Sequence, residues 1–332
     1  MHHTHSGSQS TGRTAPAPWP RVLYAALLCA AALLAGCATP QTRMLAAAPP
    51  AVERAELTEV PFFPQEEYQC GPAALATVMT AAGREITPEA LTPQVFLPQR
   101  RGSLQIEMLA APRRHGMVSL RLAPQLGDVL AEVAAGHPVI VLQNLALDWY
   151  PMWHYAVVVG YDLGRQTIIL RSGAERRQEL PLATFERTWA RGGHWAMMAL
   201  PPHALPRTVS PQAYTQAVVA LEKAGAVREA RAAYETALGR WPDDLVALMG
   251  AGNTAHTLGD YAGAEQAFRR AAQRHPQSDA ALNNLAQTLA DQGRLEEAAA
   301  VAQRALALQG PNSMVAAQTL REIQDKSTPP QR

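Results

Sequence analysis

The chain has 332 residues, 48% of them hydrophobic and 17% charged, and its formal net charge at pH 7 is +1. That length allows about two domains, and that balance describes a globular protein able to bury sizeable cores rather than a disordered one. A near-neutral charge excludes the broad basic field with which a protein tracks nucleic acid.

In chain order, Arg13 and Arg21 flank or precede an apolar run, 22–34, which closes on Leu34-Ala35-Gly36-Cys37. The run is too short to span a bilayer comfortably as a permanent helix. Residues 1–37 resemble a bacterial lipoprotein signal peptide, which implies cleavage before Cys37 and acylation of that cysteine. An ordinary signal peptide or a short anchor helix is the alternative. The resemblance implies a lipid-anchored, periplasm-facing protein of the bacterial envelope, and Ala38 in place of an aspartate points to the outer membrane. His2, His3 and His5 then belong to the removed segment rather than to a metal site. Of the three cysteines, Cys29 is removed and Cys37 carries lipid, so Cys70 is the free thiol of the mature chain and no intramolecular disulfide is expected. A lone thiol in an oxidising compartment is open to oxidation, which favours a chemical role over mere packing.

Residues 38–56, rich in Ala, Pro and Thr, read as a flexible tether. A first domain follows over 57–202. Its pattern predicts helices over 70–82, ended by Gly83, over 104–114 with Ser103 as N-cap, and over 128–135, ended by Gly136. Strands are predicted over 138–145, 154–161, 167–171 and 195–200. Helices first and strands later make this an α+β domain.

The C-terminal third repeats. Gly225, Gly259 and Gly293 lie 34 residues apart, and so do Ala230, Ala264 and Ala298, the trio Ala237, Ala271 and Ala305, and the pair Tyr234 and Phe268. Pro242 and Pro276 keep the same interval, with Gly310 in the third slot. Each unit reads as helix, Gly turn, helix, Pro, with small residues where the helices approach. The period resembles tetratricopeptide repeats, three units over 210–311, followed by a C-terminal tail, 312–332. The resemblance implies an all-α array that binds a protein partner on its concave face.

Cys70 opens the apolar, Ala-rich run Cys70-Gly71-Pro72-Ala73-Ala74. Unpaired N–H groups and the helix dipole at such a position favour the thiolate, which is the nucleophilic form. A buried structural cysteine is the plain alternative. The pattern His154-Tyr155-Ala156-Val157-Val158-Val159-Gly160-Tyr161 offers a strand histidine as base. Together with Tyr68-Gln69 before the cysteine, these motifs resemble papain-like double-glycine leader peptidases of the bacteriocin-processing type, over about 57–202. The resemblance implies Cys70 as nucleophile, His154 as base and Gln65 as oxyanion donor with the Cys70 N–H. Relatives often place that glutamine one residue earlier, where this chain has Pro64, and Gln69 is a weaker second choice.

The third group departs further. Where relatives carry Asp or Asn to orient the imidazole, a hairpin turning at Leu163-Gly164 sets Gly173, or with a one-residue change Ser172, opposite His154. Asp162 is the first acid after His154 but lies eight residues along the strand, about 26 Å away, which excludes it. Ser172 is therefore the orienter candidate, with Asn144 and Glu175 as substitutes from elsewhere. His115, His137, His194 and His203 show no ligand spacing, and no metal or cofactor motif is present. The expectation is an envelope-anchored cysteine peptidase that hydrolyses peptide bonds in a peptide or protein substrate. A peptidase-like adaptor or assembly lipoprotein of weakened activity is the alternative.

Overall fold

A computed structural model describes residues 2, 39–64 and 69–327 of the chain. Cys29, Cys37 and Gln65 lie outside the described residues, so the signal peptide, the lipidation site and the oxyanion donor expected from the sequence belong to segments without description.

Where a flexible tether is expected, the chain folds into helix α1 (Pro40–Ala47) and strand β1 (Arg54–Glu56). The reason is a buried carboxylate. Glu186 accepts the N–H groups of Gln41 and Thr42 at 3.0 and 2.7 Å and the Thr42 hydroxyl, tying the first turn of α1 down. The central helix α2 (Cys70–Ala81) follows; Pro72 falls in its first turn, where no intrahelical N–H is required. Residues 71–79 are all buried. Next come α3 (Pro88–Val95), β2 (Phe96–Leu97), β3 (Gly102–Ser103), α4 (Gln105–Arg114), β4 (Val118–Arg121) and α5 (Leu126–Ala134). Then come β5 (Val139–Asn144), β6 (Trp153–Asp162), β7 (Thr167–Ser172), β8 (Glu175–Pro181), α6 (Leu182–Arg191) and β9 (Ala196–Leu200).

The main sheet runs β4-β9-β5-β6-β7-β8, and β1 pairs with the far end of β6. Every described pairing in it is antiparallel. Both faces are covered, which is why its central strands read as nearly continuous apolar runs. Leu75, Val78 and Met79 of α2 pack on one face, against Tyr155, Val157 and Val159. Leu126, Leu130, Phe185 and Trp189 of α5 and α6 pack on the other, against Ala156, Val158, Ile168 and Leu170.

The second part of the chain is six paired helices: α7 (Pro211–Lys223) with α8 (Val227–Arg240), α9 (Leu245–Thr257) with α10 (Tyr261–Arg274), and α11 (Asp279–Asp291) with α12 (Leu295–Ala307). The period is physical. Ser210, Asp244 and Ser278 each accept the N–H three residues on, and Gly225, Gly259 and Gly293 take φ of +89°, +78° and +77° at the turns. The expected tail is instead largely a seventh helix, α13 (Ser313–Ser327), which buries Ala316, Thr319 and Ile323 and so closes the apolar end of the stack. The array does not hang free of the sheet domain. Tyr214, Val218 and Leu221 of α7 share a core with Val118 and Leu120 of β4. The buried Glu132 carboxylate of α5 accepts the N–H groups of Arg207 and Thr208 at 3.1 and 2.7 Å and the Thr208 hydroxyl at 2.8 Å, and lies 3.0 Å from His137 Nδ1. Among the described residues no helix is long and apolar enough to cross a membrane.

Candidate active site

Cys70 is the first residue of α2, with Gln69 at the N-cap making no side-chain hydrogen bond. The thiol is half-buried against the α2-side core. Gly71 beside it tolerates no side chain: a Cβ there would lie 2.2 Å from Ser103 Oγ. This also corrects the expected role of Ser103. The N-cap of α4 is Leu104, not Ser103, and the Ser103 hydroxyl is turned against Gly71, buried and without a hydrogen-bond partner.

His154 lies near the start of β6. Its Nε2 is 2.9 Å from Ser172 Oγ, and Nδ1 has no hydrogen-bond partner among the described residues. The route to that contact differs from the simple hairpin. Asp162 pairs with Thr167 and Gly160 with Ile169, but past a bulge at Val159 the register shifts to Val158 with Leu170 and Val157 with Arg171. Continued, this register sets Ser172 across from Ala156, on the face that His154 shares at a spacing of two. The register at the turn end, continued without the shift, would have turned Ser172 to the opposite face. The bulge thus determines that the hydroxyl meets the imidazole diagonally.

The other orienter candidates are occupied or distant. Asp162, at the far end of β6, lies 3.8 Å from the Arg54 guanidinium. Glu175, at the start of β8, pairs across from Ser172 but is exposed and accepts from the Gln178 amide at 3.5 Å. Asn144 is buried, and its side chain is spent on the following loop, accepting the N–H groups of Ala146 and Met152 at 3.1 and 2.9 Å and donating to Leu147 O at 3.3 Å.

Cys70 and His154 line one cleft of about 1100 Å³. Tyr155, which sequence reasoning did not single out, lines the cleft with them. Its backbone N–H points at the Cys70 sulfur, its ring meets Trp195 edge-on at 5.6 Å, and its hydroxyl donates to Ser103 O at 3.2 Å. The alternation of β6, read from His154, turns Tyr155 toward α2, and that alternation is the one signal that could have found it.

Burial disfavours the charged form of both Cys70 and His154. Burial raises the Cys70 thiol above its ordinary pKa and outweighs the N–H groups of Tyr155, Gly71 and Cys70, which favour the thiolate. Burial lowers His154 below the ordinary histidine value. The helix N-terminus argument for a low thiol pKa is therefore overridden by desolvation. A neutral thiol and a neutral imidazole lining one cleft are suited to proton transfer on attack rather than to a standing ion pair.

Residues 57–197 match the Peptidase_C39 like family, and 215–279 and 258–313 match the tetratricopeptide repeat. The chain thus joins a C39-like peptidase domain of α+β architecture to an all-α repeat array. A C39-like peptidase from Bacillus anthracis is similar at 19% identity over 45% of this chain and 98% of that one, with a TM-score of 0.39. The first repeat domain of Spaghetti bound to an HSP90 peptide is similar at 22% identity over 35% and 92%, with a TM-score of 0.34. The Yersinia enterocolitica type III secretion translocator chaperone SycD is similar at 17% identity over 36% and 88%, with a TM-score of 0.34. No curated protein matches the chain.

Proposed function

We propose that the protein is a cysteine peptidase held at the bacterial envelope by lipid on Cys37, with the repeat array recruiting a protein partner or substrate. The observation that carries the reading is that a helix-N-terminal thiol and a hydroxyl-held imidazole line one cleft of a C39-like domain. In the mechanism, Cys70 Sγ attacks the peptide carbonyl carbon while its proton passes to His154 Nδ1, the nitrogen that does not meet Ser172. The oxyanion is met by backbone N–H at the start of α2, with Gln65 as the further donor. The C–N bond breaks as the imidazolium returns its proton to the amine, and water, activated by His154, hydrolyses the thioester. Ser172 holds the ring and adds no charge, so the imidazolium is stabilised less than it would be by a carboxylate.

A thiol-reactive peptide probe tests this: Cys70 should be labelled at neutral to alkaline pH, and peptide cleavage should vanish in Cys70→Ala and His154→Ala. Cleavage that persists in Cys70→Ala removes the reading. The uncharged orienter and the raised thiol favour a second reading, a weakened peptidase-like adaptor, which follows if no peptide is turned over. The anchor is tested separately by fatty-acid labelling, which should disappear in Cys37→Ala.

A further inference from the structure

The segment 145–153, Leu-Ala-Leu-Asp-Trp-Tyr-Pro-Met-Trp, follows β5 and carries the most exposed aromatic groups of the described residues: Trp149 is 81% exposed, Tyr150 72% and Trp153 54%. It is an ordered arm. Leu145 N–H donates to Met152 O at 2.9 Å and Tyr150 N–H to Leu147 O at 3.1 Å, and the buried Asn144 side chain braces its base. The Trp149 and Tyr150 rings lie side by side at the tip, their centroids 6.2 Å apart, with Leu147 exposed beside them. Met152 and Trp153 line the cleft with Cys70 and His154, but Trp149 and Tyr150 do not. The tip is thus no part of the catalytic cleft, and an ordered apolar patch held out in water marks an interaction site of its own.

The N-terminal end of the described domain lies on the same side. Strands β4 and β5 are both antiparallel to β9, so they run the same way, and the turn after β4 and the arm after β5 leave one end of the sheet. The first turn of α1 is tied to that end: Gln41 Nε2 donates to Pro124 O at 3.2 Å, and Gln41 Oε1 accepts the Leu126 N–H. Helix α6 links it to the arm. Glu186 holds the N–H groups of Gln41 and Thr42, Thr188 Oγ1 accepts from Gln143 at 2.6 Å, and Arg191 Nε and Nη2 donate to Asn144 O at 3.2 and 3.0 Å. From Glu186 to Arg191 the helix rises only about 7.5 Å. Cys37 precedes Gln41 by four residues, which span at most about 14 Å in any conformation. An acyl group on Cys37 is therefore leashed to the end of the sheet that bears the arm.

The chemistry of the tip suits that neighbour. Trp and Tyr settle at the headgroup level of a bilayer, because each joins an apolar ring to a polar edge. Asp148, exposed between Leu147 and Trp149, is the one charged residue of the arm and limits the depth to that layer. Arg191 at the base is a cation, which anionic headgroups favour.

We propose that Leu147, Trp149 and Tyr150 form a lipid-surface contact that seats in the headgroup layer of the bilayer holding the Cys37 acyl chains, and so sets the mouth of the Cys70 cleft beside that surface. The inference deepens the proposed function, resting on acylation of Cys37 for the leash and not on turnover by Cys70.

The test uses the full chain reconstituted into phosphatidylethanolamine and phosphatidylglycerol vesicles that contain phosphatidylcholine brominated near the carbonyl end of its chains, read by quenching of tryptophan emission. Wild type should be quenched, and Trp149→Phe, which keeps an apolar ring, should lose most of that quenching, which places it at the tip. The double variant Leu147→Ser, Tyr150→Ser retains Trp149 as reporter and should cut its quenching about tenfold, since roughly 55 Å² of apolar surface returned to water is a tenfold change in partitioning. Variants are compared at equal acrylamide quenching without vesicles, so an unfolded arm does not imitate the result. Quenching that survives Trp149→Phe in full overturns the proposal. So does protection of Trp149 from acrylamide by a soluble casein digest with no quenching by brominated lipid, since that makes the tip a polypeptide site. The mass of the N-terminal peptide from the same sample reports acylation. An acylated chain with an unquenched tip overturns this proposal and leaves the anchor standing; an unacylated chain removes the anchor, and a quenched tip then upholds the lipid contact without it.

Discussion

Alkylation of Cys70 as a function of pH decides what kind of nucleophile the site holds. The structure places the thiol under desolvation and gives it three backbone N–H groups but no charged partner among the described residues, so its pKa is raised above the ordinary value. A thiol above the ordinary ~8.5 is less than about 3% thiolate at pH 7. A standing thiolate–imidazolium pair, with its thiol pKa well below neutrality, would be almost fully thiolate there. The two states differ by about thirtyfold or more in iodoacetamide labelling rate at pH 7, after allowance for a common thiolate reactivity. The expected profile in wild type has no acidic plateau and rises with pH to beyond the ordinary thiol value. His154 is neutral at pH 7 because burial lowers it, so His154→Ala should leave that profile nearly unchanged while abolishing cleavage. Ser172→Asp is the informative gain. It brings a carboxylate to the position whose Oγ lies 2.9 Å from Nε2. An opposite charge at that range raises an imidazole pKa by about 1–3 units, and the imidazolium then draws the thiol down. Labelling at pH 7 should rise by about an order of magnitude, within the thirtyfold or more that full ionisation would allow. Mass spectrometry of the Cys70 peptide reads the rate. A pH-independent labelling rate between pH 6 and 9 in wild type refutes the neutral-pair description.

Two further predictions concern the scaffold. Gly71→Ala should cost about 1–3 kcal/mol by overpacking against Ser103, and Ser103→Gly in the same chain should restore much of that loss in a urea titration; additive losses in the double variant would show that the two positions do not meet. Glu132 is raised by burial, but hydrogen bonds from His137, Thr208 and Arg207 prevail and hold it below the usual carboxylate range. A depressed folded pKa contributes stability above the unfolded value of ~4.3 and loses it as pH falls through the folded one. Glu132→Gln should therefore lower stability by about 3 kcal/mol at neutral pH, with the difference shrinking below about pH 4; a pH-independent gap would mean the charge is not what holds Arg207 and Thr208.

The repeat array was legible in the sequence because its physics is local and periodic. Helix pairs joined by left-handed glycines, with caps at Ser210, Asp244 and Ser278, recur at a fixed interval whatever they pack against. The start of α2 at Cys70, and strands β5, β6, β7 and β9, were also legible, since a sheet covered on both faces demands unbroken apolar runs. Short polar-faced elements such as β8 were not, because neither period nor composition marks them. Three outcomes needed the tertiary structure. The bulge at Val159 is a property of strand pairing, and it alone puts Ser172 on the face of His154. The ionisation of Cys70 is set by how deeply α2 is buried, which a helix-terminus argument made from sequence cannot weigh. Thr42, in the stretch expected to be a tether, and Thr208, just before α7, are fastened by carboxylates far away in sequence, Glu186 and Glu132, and no local pattern announces which buried acid will receive a backbone N–H.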